Sequence, residues 1–169
     1  MSWRHIAVMN FTMAVLMIAI MYGFMNHFPM REPLVFVHQP AIVERISHED
    51  VMGLLRETFP EAQIRGSEKK YYDIVAVGEV ESFLADFSNK SPGSAEESDM
   101  IFQFIGGLKQ PGWLGIPAGF MKADSKSPIC PIVIAKTGNT IKVFRIDILK
   151  QKVLAVSEDR SVKMIAVLF

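Results

Sequence analysis

The chain has 169 residues with 18 Lys+Arg against 18 Asp+Glu, half of them hydrophobic, and a single cysteine. The balanced charge speaks against nucleic acid as a partner, and one cysteine excludes an internal disulfide framework and any CxxC metal or redox pair. The four histidines, His5, His27, His38 and His48, all lie in the first 48 residues, which restricts every catalytic hypothesis for the rest of the chain.

Residues 6–26, IAVMNFTMAVLMIAIMYGFMN, carry no charge. As a helix they would span roughly 32 Å at about 1.5 Å per residue, enough for a bilayer core of about 30 Å. No small-x-small cleavage site follows in YGFMNHFPM, so the segment reads as an uncleaved single-pass anchor rather than a signal peptide. Arg4 before the span, against Arg31 beside Glu32 after it, leans towards an inside N-terminus and an outside C-terminal domain. Met9, Met13, Met17, Met21 and Met25 repeat every four residues and draw a stripe along the expected helix. Such a stripe either faces lipid or packs against another helix.

Three prolines in 29–41 mark an extended connector over 29–46, with room for a short strand at Leu34–Val37. SHEDVMGLLRETFP then predicts a helix. Ser47 caps it with Asp50 in the box position, Val51, Leu54, Leu55 and Phe59 form its apolar face, and Pro60 stops it. EVESFLADF predicts a second helix that buries Val80, Phe83, Leu84 and Phe87. After the polar loop 89–98, SAEESDMIFQF predicts a third helix, capped at Ser94, with Met100, Ile101 and Phe104 at helical spacing. PICPIVIAKTGNTIKVFRIDIL holds two β-branched runs around a Gly-Asn turn, a hairpin in which Val143, Arg145 and Asp147 face opposite to Phe144, Ile146 and Ile148. SVKMIAVLF predicts a last strand. The class is α+β: helices, then antiparallel strands.

No catalytic constellation emerges from these residues. Cys130 opens an apolar strand, and its imidazole partner would have to be His38 or His48, both distant in sequence; a buried inert thiol is the plainer reading. A cysteine hydrolase built on Cys130 stays open as an alternative. His48-Glu49-Asp50, and Glu96-Glu97 with Asp99, suit the acidic first turns of helices better than a metal site, so neither metal nor cofactor is expected. Trp113 fits a core corner, and with Asp99 it is also a candidate lining for a ligand cleft.

The order RETFPEAQI, KKYYDIV, VESFLADF, EESDMIFQFIGGL, PGWLGIPAGFMKAD, SPICPIVIA and FRIDILKQKV resembles a small papain-like, transglutaminase-type domain of bacterial and phage proteins, also present at the carboxy end of a mushroom agglutinin. The resemblance covers 47–169, with Pro111-Gly112-Trp113 among its most specific parts. It implies a papain-like domain of about three helices packed on an antiparallel sheet, behind an anchor at 1–28 and the connector at 29–46. It places the family's nucleophile on Met100, its histidine on about Ser127 and its third polar group on Asp147, none of which can do the family's chemistry. The expectation is a non-catalytic subunit of a bacterial inner-membrane complex. The span and the domain surface would meet an integral membrane protein partner and the lipid bilayer, with the domain on the periplasmic side. A membrane-tethered glycan- or peptide-binding module is the alternative.

Overall fold

The computed structural model describes residues 39–66, 69–90, 97–124 and 126–168. The expected anchor with its five-methionine stripe, the Leu34–Val37 strand and the Ser94 cap lie outside the described residues. Among those described, no helix is long and apolar enough to cross a membrane.

Strand β1 (Ile42–Ser47) leads directly into helix α1 (His48–Thr58). The junction is the expected capping box: the Asp50 amide donates to Ser47 Oγ at 3.2 Å, and the Ser47 amide donates to Asp50 Oδ2 at 3.1 Å. Val51, Leu55 and Phe59 are buried, and the helix gives out before Pro60. Strands β2 (Gln63–Arg65) and β3 (Tyr71–Val75) follow, then helices α2 (Val77–Lys90) and α3 (Glu97–Gly107). The remaining strands are β4 (Ala118–Lys122), β5 (Cys130–Thr137), β6 (Thr140–Asp147), β7 (Lys152–Ala155) and β8 (Met164–Val167).

β1 and β3 form a small antiparallel sheet, with a bulge between Ile42 and Glu44. The other six strands form one sheet in the order β2-β8-β4-β5-β6-β7. The class is α+β, but the sheet is mixed rather than antiparallel. β2 runs parallel to β8, because the three-residue run after α1 joins the sheet edge beside a strand about a hundred residues later. The last residues of the expected connector also belong to the fold, since β1 is paired along its length with β3. Ala76 pairs with Lys136 in an isolated bridge, and the Lys136 ammonium lies 2.7 Å from Glu44, so the small sheet is tied to β5.

Alternation along β5 and β6 fills two cores. Val133, Ala135, Phe144 and Ile146 pack with the buried residues of α2 and α3, whereas Ile132, Ile134 and Val143 pack with Val51 and Leu55 of α1 and with Phe59 at its C-cap. The central strands are therefore covered on both faces, which explains their near-continuous apolar sequence. The β5–β6 loop is two residues long, between Thr137 and Thr140, and Gly138 takes φ +58, the positive φ that primed hairpin turns require.

Trp113 is fully buried, with its ring 4.6 Å from Phe83. Phe104 meets Phe83 and Phe87 edge-on, each at 5.4 Å. The corner that delivers Trp113 turns at Gly112, whose φ of +97 disfavours any L side chain. Gly119 in β4 lies against β8: an added Cβ would overlap the Ala166 carbonyl and sit 3.0 Å from Val167 Cα.

Candidate functional site

Because β5 and β6 are antiparallel, the start of one lies beside the end of the other. Cys130 and Asp147 thus come to the same end of the sheet, where the first turn of α3 and the 127–129 loop meet them. The result is a cleft of about 530 Å³ lined by Glu97, Ser127, Cys130, Arg145, Asp147 and Asp159, among others.

The polar groups of this cleft are tied down locally. Asp147 Oδ1 accepts the Lys150 amide at 3.0 Å and Oδ2 lies 3.4 Å from Lys150 Nζ. The backbone hydrogen bond, foremost, holds the Asp147 carboxyl below the usual carboxylate range. Asp159 accepts Ser161 Oγ at 2.6 Å and its amide at 2.8 Å, and is lowered for that reason. Asp124 accepts the amides of Lys126 and Ser127, each at 2.7 Å, which fixes the backbone of the loop that presents Ser127. The positive charge of Arg145 acts on Cys130, Asp147 and Asp159 alike.

Cys130 is half-buried, with Sγ 3.9 Å from the Pro131 and Ile146 carbonyl oxygens. Burial pushes its thiol up to about 11, against the pull of Arg145. At neutral pH the group is a thiol, and the thiolate is the nucleophile. His48, the one described histidine, lines a different hollow of about 440 Å³ with Ser47, Glu49, Lys69, Lys70 and Tyr71. Its Nδ1 lies 3.5 Å from Tyr72 Oη, not from sulfur. Among the described residues, no group of three or more His, Cys, Asp or Glu is placed to hold a metal ion.

The structure brings two of the three expected degenerate positions, Ser127 and Asp147, to one cleft. Met100 does not line it. Its side chain packs against the α2–α3 core, whereas Asp147 follows the core residue Ile146 and so alternates away from that core. The ligand-cleft reading of Trp113 is corrected: its ring is inside the core with no exposed surface to stack on a ligand. Asp99 is exposed on the first turn of α3 and does not line the cleft. Arg145, Asp159 and Ser161 were not expected there. Arg145 reads in sequence only as the exposed residue of an alternating strand, and the 157–163 segment has no periodic pattern that marks it.

In comparison with known proteins, no family model, no curated protein and no solved structure matches the chain.

Proposed function

We propose that this chain is a membrane-anchored, non-catalytic accessory subunit, in which an α+β domain of papain-like descent is kept for its surface. One observation carries the reading. The cleft where α3, β5 and β6 converge pairs its thiol with no imidazole among the described residues, and burial holds that thiol protonated. Cleft groups that could activate a nucleophile are instead engaged by their own loops, Asp147 by Lys150 and Asp159 by Ser161. The uncharged stretch 6–26 supplies the anchor, and the even charge suits lasting contacts better than steered, transient ones. The partner on this reading is an integral membrane protein complex. The test is extraction of native membranes with a mild detergent, gradient sedimentation and identification of whatever travels with the protein. Sedimentation within a large defined assembly supports the subunit; a small free particle overturns it.

A second reading is a tethered peptide- or glycan-binding module, favoured by the size of the cleft and its mixed lining of two cationic side chains, Arg145 and Lys150, and three acidic ones, Glu97, Asp147 and Asp159. Saturable binding in a peptide or glycan array, lost on Arg145→Ala, would favour it over the subunit.

A further inference from the structure

The surface where the chain enters the domain combines apolar and basic groups in a way that the interior does not explain. Gln39, the first described residue, packs against the 110–115 turn: its Cγ lies 3.1 Å from where a Cβ on Gly112 would stand. Two residues on, Leu114 is 53% exposed, and its carbonyl accepts the Lys69 ammonium. Lys70 lies over the ring of Tyr71, 5.5 Å from its centroid, and that ring is 51% exposed. One strip of surface thus carries an exposed leucine, an exposed tyrosine and two lysines. Of the acidic groups on this side, Asp73 is paired with Arg45 at 2.7 Å, and Glu49 shares a hollow with Lys69, Lys70 and Tyr71, where the two lysines outnumber it.

We propose that this Leu114–Tyr71 strip, with Lys69 and Lys70, rests on the headgroup layer of an anionic lipid bilayer. The inference rests on the membrane-anchored reading above. Residue 26 ends the uncharged stretch, and 13 residues (39 − 26) reach Gln39. At no more than about 3.6 Å per residue the chain holds this strip within about 47 Å of the bilayer. The tether therefore favours lipid over any freely diffusing partner at this place. The chemistry agrees. Tyrosine places its ring in the apolar boundary and its hydroxyl in the wet layer. Lysine stems lie along apolar surface while their ammonium groups reach anionic headgroups. The other exposed large aromatic among the described residues, Phe102 on α3, sits beside Pro128 and Ile129 in a hollow with no lysine in its lining.

The test uses the full chain in vesicles of phosphatidylcholine and phosphatidylglycerol. With Cys130→Ala as background, an environment-sensitive fluorophore is attached through Leu114→Cys or, as reference, Phe102→Cys. Alkaline carbonate washing reports independently whether the chain is anchored. The expected result is a carbonate-resistant chain whose label at 114 is blue-shifted and quenched by brominated acyl chains, while the label at 102 is neither. Lys69→Glu with Lys70→Glu should reverse the shift at 114 and leave carbonate resistance unchanged. A carbonate-resistant chain with equally wet labels at 114 and 102 overturns the proposal while the anchor stands. A chain released by carbonate, with a wet label at 114, overturns both.

Discussion

Phe104→Ala should be among the most damaging single substitutions in the domain, while Phe102→Ala, two residues away on the same helix, should be nearly silent. Phe104 is completely buried and touches Phe83 and Phe87 edge-on at 5.4 Å, whereas Phe102 is 59% exposed. Truncating a buried phenylalanine costs about 3–5 kcal/mol when the surroundings cannot close around the gap. Two edge-to-face contacts, each about 0.5–1.5 kcal/mol, place Phe104 near the top of that range. The neighbours that would have to move are themselves large: Trp113 leans on Phe83, and Ile101 on the same helix and Leu108 just past its end are buried. Urea unfolding of the detergent-solubilised chain reads this out. In a Trp3→Phe background the only indole is Trp113. With a slope of about 2 kcal/mol per molar urea, Phe104→Ala should lower the midpoint by about 2 M. Phe102→Ala should stay within about 0.5 kcal/mol of the parent. Similar midpoints for the two variants would refute the packing described for α3.

Three further outcomes are expected. Gly119→Ala should abolish cooperative unfolding, because the new methyl collides with the backbone of β8; Gly53→Ala, in the interior of α1 with open space around it, should instead raise stability by about 0.5–1 kcal/mol. Circular dichroism melts separate the two. Ser47→Ala should cost about 1 kcal/mol at neutral pH by removing the α1 cap. Since Ser47 holds the Asp50 carboxyl below its usual range, Asp50 contributes stability above the unfolded carboxylate pKa that disappears as pH falls through the lower folded value. Ser47→Ala should flatten that acid-side loss, and an unchanged pH profile would count against the box. Cys130 should alkylate slowly: with its thiol near 11 instead of 9.0, the thiolate fraction at pH 8 is about 100-fold lower than in the urea-unfolded chain. The raised value also makes the thiol neutral in both states below pH 9, with stability lost as pH climbs from there towards 11. Equal alkylation rates folded and unfolded would contradict its burial.

Elements with a local signal were legible in the sequence. The Ser47–Asp50 box and Pro60 delimit α1, the helical spacing of Val80, Phe83, Leu84 and Phe87 marks the buried face of α2, and the Gly-Asn turn sets the β5–β6 hairpin. What escaped depends on distant partners. β2 is three residues long and exists because β8 lies beside it; β1 hides in a segment whose prolines signal only extension. The small-residue strand β4 has no strong pattern of its own, and Gly119 matters only because the Ala166 backbone comes so near. At the cleft, Ser127 and Asp147 were placed by resemblance, and the fold does bring them together. Arg145 joins them on the hairpin face that alternation already shared with Asp147, whereas Asp159 arrives on a returning loop that leaves no mark in local sequence.

The most direct test of the central claim, a domain used for its surface and not for cleft chemistry, is to replace Ser127, Cys130 and Asp147 together by alanine in the full chain. Its sedimentation in mild-detergent extracts of native membranes is then compared with that of the parent. If the chain is a non-catalytic subunit, the triple variant travels in the same large assembly as the parent and the assembly keeps its activity. If the variant folds with an unchanged melting profile yet leaves the assembly or silences it, the cleft itself is the working part and the claim is contradicted.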